Sequence, residues 1–178
     1  MAYRDETIEK IVKEVVTRLK TTEVPTKDET KIAIGSDHGG FPLKEELRKY
    51  LDELGYKVKD CGPYSSESCD YPDYAHLVAS EVVKGECSKG IMIDGAGMGS
   101  CIACNKVPGI RAALAYDTFT AKMASEHDDA NVLCLGGQTI GIALAKDMVK
   151  VWLETKFAGG RHARRVDKIM GIEKKYLK

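Results

Sequence analysis

A chain of 178 residues, 43% apolar and 7% aromatic, holds enough material for one compact domain with a sizeable core and little for a second. Lysine plus arginine and aspartate plus glutamate balance at 27 each, so no global field favours nucleic acid or an anionic membrane. No apolar run approaches the roughly 20 residues of a membrane span, and the first residues are charged and amphipathic rather than a signal peptide, so a cytoplasmic location is expected.

Taken in chain order, Ile8, Ile11, Val12, Val15, Val16 and Leu19 recur at helical spacing and predict an amphipathic helix over 1–20 with a narrow apolar stripe. Residues 21–30, with Pro25 in the middle, read as a linker. From 31 to 178 short apolar runs alternate with amphipathic segments, the pattern of βαβ units. Strands are predicted at 31–36, 57–61, 91–93, 110–115 and 132–135, the third and fourth of them central. Helices are predicted at 41–54, 74–84, 100–105, 118–125, 139–155 and 164–175. The expected fold is α/β: a Rossmann-like, doubly wound, parallel five-stranded sheet with helices on both faces, whose ligands gather at the carboxyl ends of the strands.

Polar residues fall at element ends. Ser36-Asp37-His38-Gly39-Gly40 follows the first strand directly. The third runs into Asp94-Gly95-Ala96-Gly97-Met98-Gly99-Ser100, where glycines at alternate positions leave the backbone uncovered. Successive N–H groups can there converge on a phosphate or a developing oxyanion, with Asp94 at the mouth; the steric alternative is a tight turn that simply needs glycine. His127-Asp128-Asp129 precedes the last strand, and a histidine beside aspartates at an element end suits proton transfer. Arg161 and Arg165 are four apart at a predicted helix start, so their guanidinium groups can fork around one phosphate. Arginines in a first turn also oppose the helix dipole, which points to an anionic counterpart. Of the six cysteines, Cys61, Cys69, Cys87 and Cys134 are scattered and Cys101 and Cys104 form a lone C-x-x-C, so small buried thiols are expected rather than disulfides or a metal site.

Six segments, in order, closely resemble the ribose-5-phosphate isomerase B family, which includes the galactose-6-phosphate isomerase subunits. They are residues 31–40, Asp70-Tyr71-Pro72, Gly95-Ala96-Gly97-Met98-Gly99-Ser100, Asn105-Lys106-Val107-Pro108-Gly109-Ile110-Arg111, residues 127–133 and Gly159-Gly160-Arg161-His162. The resemblance spans nearly everything from Lys31 to Tyr176 and implies an aldose–ketose isomerase acting through an enediolate. Ribose 5-phosphate to ribulose 5-phosphate is the expected reaction; another pentose or hexose phosphate, or binding with impaired turnover, is the alternative.

In the roles the resemblance implies, His127 assists ring opening, and Asp37 and Tyr71 contact sugar oxygens. His38, Arg161 and Arg165 hold the phosphate, and N–H groups from Gly95 to Gly99, with Ser100 beside them, cradle the enediolate. One branch of the family carries a cysteine base at the position of Asp94, and the other a glutamate base at that of Ser100. Asp94 is therefore the expected base. Ala96 stands where a threonine or serine is usual, and Asp128, next to the substrate, where asparagine is common. No metal or organic cofactor is implied, and sites shared between subunits imply a homodimer or a tetramer. The 1–20 helix on its linker further resembles the encapsulation peptides that lead enzymes into bacterial microcompartments, which would give it shell proteins as partners; packing on its own domain or oligomer is the alternative.

Overall fold

Ile32, Ala33 and Ile34 are fully buried in the strand β1 (Lys31–Ser36), and their alternation explains both layers of the molecule. Ile32 and Ile34 face one core with Leu43, Leu47, Leu51, Met148 and Trp152, whereas Ala33 faces a second with Ala75, Val78, Met92 and Cys134. A strand that is apolar on both sides needs helices on both sides. A computed structural model of the chain describes residues 30–177. The helix expected over 1–20, and all but the last residue of the linker expected over 21–30, lie outside the described residues.

After β1 come α1 (Phe41–Glu53), β2 (Lys57–Asp60), α2 (Tyr71–Val83), β3 (Lys89–Asp94), α3 (Met98–Cys104), β4 (Ala112–Leu114), α4 (Thr118–Glu126), β5 (Val132–Gly136), α5 (Ile142–Glu154) and α6 (Arg161–Tyr176). All strand pairs are parallel, in the order β2-β1-β3-β5-β4. The doubly wound sheet is as expected, with one correction: β4 is an edge strand, not a central one. It is three half-buried residues paired only to β5, and its open side is what makes it short. The chain reverses its winding between β1 and β3, and the crevice at their carboxyl ends is where a fold of this kind receives ligands.

Four helix starts differ from expectation: α3 begins two residues early at Met98 and α5 three late at Ile142, and the other two bring expected site residues into a first turn. Asp70 is extended and Pro72 sits in the first turn, so α2 begins at Tyr71 and carries that ring at its amino terminus. Gly160, at φ 53°, lets α6 begin at Arg161, three residues early.

Lys89, at the start of β3, is an ionisable group inside the apolar layer. Its Nζ lies 3.3 Å from Ser125 Oγ, 3.4 Å from Trp152 O and 4.2 Å from the centre of the Trp152 ring. Burial, only partly opposed by Asp129, pulls its ammonium from an ordinary 10.5 down to about 8. The folded value lies below the unfolded one, so stability is full above pH 10.5, falls as pH drops towards 8, and stays reduced below that. Lys89→Met should therefore stabilise the protein at pH 7 by about 2 kcal/mol, since relief of the desolvation outweighs the forgone attraction between the ammonium and the indole face. Trp152 O keeps its 2.6 Å hydrogen bond from Ser125 Oγ, so no acceptor is orphaned. Urea unfolding at pH 7 and above pH 10 checks this: the gain should vanish in the alkaline series.

Candidate active site

At the carboxyl end of the sheet, β1 delivers Asp37 and His38, β3 delivers Asp94, and the start of α2 delivers Tyr71. Asp37 is 8% exposed and accepts the N–H of Gly40 at 2.8 Å, which fixes the turn. His38 is exposed, with Nδ1 held 3.1 Å from Cys69 O and 3.3 Å from Cys69 N. Tyr71 lies across Gly99, whose place a side chain could not share: a Cβ there would come within 2.7 Å of the Tyr71 ring.

Asp94 is 5% exposed and gathers the glycine loop around itself. Its Oδ1 accepts from Ala96 N at 2.8 Å and from Gly97 N, and its Oδ2 accepts from Ser100 N at 2.7 Å. The carboxylate thus caps α3 from outside. A carboxylate offers about four lone-pair sites; Oδ1 has both engaged, and Oδ2 keeps one open. The Gly97 N–H that could have faced a ligand is turned onto Asp94 instead, and the glycine is also sterically required: at φ 82°, a Cβ would meet Leu114 Cδ1 at 2.5 Å. Among the described residues, no acceptor takes the N–H groups of Gly95, Met98 or Gly99. Two hydroxyls at this end, Ser36 Oγ and Ser100 Oγ, are buried without a partner among the described residues.

The second group of expected site residues stands elsewhere. His127 follows α4, and α4 runs back to the start of β5, so His127 lies at the amino end of the parallel sheet. Its ring stacks on that of His162 with centroids 4.0 Å apart. Arg161 Nε donates to His162 Nε2 at 3.2 Å, which requires that nitrogen to be unprotonated. Burial lowers the His162 pKa below 6.5, and its neighbours His127, Arg161 and Arg165 lower it further against the pull of Asp128. A buried histidine with a lowered pKa leaves the charge of this surface to the exposed Arg161 and Arg165. Arg111 clasps the loop from below: Nη2 reaches Asp129 Oδ2 and Nε reaches Asp129 O, both at 2.8 Å, and Asn131 binds Arg111 N at 2.7 Å and Gly109 O at 2.9 Å. That clasp accounts for the segments around Gly109 and Asn131 that carry no reacting group.

Asp37, His38, Tyr71, Asp94, Gly95, Gly97, Gly99 and Ser100 therefore lie at one end of the sheet, and His127, Asp128, Arg161 and Arg165 at the other. Strand β5, five residues or about 17 Å long, separates the two ends within one chain. Gln138 went unread in the sequence. Its amide lies between the two glycine turns, with Nε2 3.4 Å from where a Gly39 Cβ would stand and Oε1 3.6 Å from the same point on Gly95. The available signal was positional: Gln138 follows β5 as Asp37 follows β1 and Asp94 ends β3. Among the described residues no group of three His, Cys, Asp or Glu is placed to hold a metal ion, and no helix is long and apolar enough to cross a membrane.

Residues 32–169 match the Ribose/Galactose Isomerase family. The chain is 46% identical over 145 residues to ribose-5-phosphate isomerase B of Escherichia coli K12, covering 82% of this chain and 97% of that protein. Ribose-5-phosphate isomerase B of Clostridium thermocellum superposes with a TM-score of 0.82 at 53% identity, over 83% of this chain and all of the other. The Mycoplasma genitalium ribose-5-phosphate isomerase B with bound ribulose-5-phosphate gives 0.78 at 44% identity, over 82% and 97%.

Proposed function

The chain belongs to the ribose/galactose isomerase family, and from that premise we propose that it isomerises ribose 5-phosphate to ribulose 5-phosphate in sites shared by two copies of itself. The observation that carries the proposal is the Asp94 carboxylate, held at the mouth of the glycine loop with one lone pair of Oδ2 open. Asp37, His38, Tyr71, Asp94, Ser100 and the loop come from one copy, and His127, Asp128, Arg161 and Arg165 from the other. Met98 and Ile102 on α3, 55% and 64% exposed, and Phe119 beyond the β4 edge, 68% exposed, supply apolar surface for that pairing.

In the reaction His127 passes a proton to the ring oxygen while the O1 hydroxyl releases its own to water, and the furanose opens to the C1 aldehyde. Oδ2 of Asp94 then takes the C2 proton, and the electron pair moves into a C1–C2 double bond, leaving an enediolate. The N–H groups of Met98 and Gly99 face the charge that develops on oxygen. Return of the proton to C1, with transfer of the hydroxyl proton from O2 to O1, gives the ketose. His38, Arg161 and Arg165 hold the phosphate, and Asp37, Tyr71 and Gln138 meet sugar hydroxyls.

NMR of ribose 5-phosphate in deuterated water with the purified protein tests this. Expected is deuterium entering the substrate carbon skeleton together with ribulose 5-phosphate formation. Binding without exchange would overturn the substrate assignment in favour of another pentose or hexose phosphate, or of a site that holds its ligand without turnover. Residues 1–20, outside the described structure, are proposed to direct this cytoplasmic enzyme into a microcompartment; diffuse fluorescence of a 1–30 fusion in shell-making cells would reject that.

A further inference from the structure

Three of the six cysteines meet under the glycine loop, and the isomerase reaction uses none of them. Cys134, in mid β5, is fully buried in the apolar cluster that also holds Cys104, with Cys101 packed against it; both of those lie on α3. Cys104 is buried too and turns its own proton to Ala75 O at 3.6 Å, on the α2 side. Cys101 is different. It is half-buried, points at Ala112 O at 3.4 Å, and receives the Asn105 amide at 3.6 Å.

We propose that Cys101 is an oxidation site for peroxides and Cys134 its resolving thiol, closing a disulfide between α3 and β5. The Cys101 thiolate attacks a peroxide oxygen, giving the sulfenic acid and releasing water or an alcohol. The Cys134 thiol then displaces the sulfenic oxygen as a second water and forms the S–S bond. The peroxide is reduced by two electrons and the two thiols are oxidised by two.

Selectivity comes from the same surroundings. The hydrogen bond from Cys134, with help from Leu114 and Asn105 and against burial, draws the Cys101 thiol down to about 7. Burial instead pushes Cys61 up to about 11 and raises Cys87. Cys101 thus holds far more thiolate at neutral pH than either. It also adjoins Ser100, whose N–H binds Asp94 Oδ2, so pulling Cys101 onto β5 shifts the carboxylate. That last consequence rests on the isomerase reading; the oxidation does not.

Treatment of the full chain with a few equivalents of hydrogen peroxide, followed by intact-mass and non-reducing peptide mass spectrometry, tests the proposal. Expected are a loss of about 2 Da, a Cys101–Cys134 linked peptide, reversal by dithiothreitol, and a matching reversible loss of isomerase activity. Cys101→Ser should prevent both changes, and Cys134→Ala should leave Cys101 as a sulfenic acid trapped by dimedone. No mass loss, or a bond joining Cys101 to Cys104 or to Cys69, would overturn the assignment. A Cys101–Cys134 bond that leaves activity unchanged would overturn its coupling to Asp94.

Discussion

Mixing a chain that carries Asp94→Asn with one that carries Arg161→Ala and Arg165→Ala should restore about a quarter of wild-type activity, although each variant alone keeps about a tenth or less at substrate concentrations well below KM. The arithmetic follows from opposite-end placement. Random pairing makes half of the dimers mixed, and each mixed dimer has one intact site and one with both defects. Separately, loss of the base should lower turnover by about 10²–10⁴-fold, and loss of both guanidinium groups should weaken phosphate binding at least tenfold, since two charge-assisted forks disappear. Activity of co-refolded mixtures, plotted against mixing ratio, should peak at equal amounts. A straight line between the two weakly active endpoints would mean that Asp94 and the arginines serve the same site from the same chain, which would end the shared-site model.

Asp94→Asn should also cost the fold about 3 kcal/mol, because the amide puts a donor where Ser100 N–H needs an acceptor and removes charge from the other two bonds. For a domain of this size that is a fall in Tm of about 9 °C. Loss of activity in that one variant would therefore confound chemistry with folding. Asp94→Cys separates the two. A thiolate can take a proton but cannot hold three N–H groups, so the cysteine variant should be as unstable as the asparagine variant yet turn over at least tenfold faster when both are assayed well below their Tm. Thermal unfolding and initial rates on the same preparations check it. Equal, wild-type-like rates in all three proteins would assign proton abstraction to some other group.

The sheet was legible because its signal is local: apolar runs such as Ile91-Met92-Ile93 are short, bounded and buried on both sides. Whether a strand is central or an edge is not local, and nothing in Ala112-Ala113-Leu114 distinguishes the two. Helix starts were legible in retrospect, since Asp70-Tyr71-Pro72 carries the proline of a first turn. The placing of Asp94 was legible as a carboxylate after a strand. Its bond to Ser100 N was not, because that depends on how the loop between them curls back. The division of the polar residues into two ends needed only the direction of α4, which a parallel sheet dictates once β4 and β5 are accepted as neighbours. Gln138 had no chemical signature, being an exposed amide in a loop.

Opposite-end placement would also give the proposed reaction a molecularity beyond substrate. On the proposed shared-site reading a lone chain holds a base without a phosphate grip and a phosphate grip without a base, so a newly made copy would be silent until it meets another. At concentrations well below the dimer dissociation constant, rate should rise with the square of chain concentration rather than in proportion to it. Local crowding of chains then becomes a means of switching on catalysis with no change in any residue.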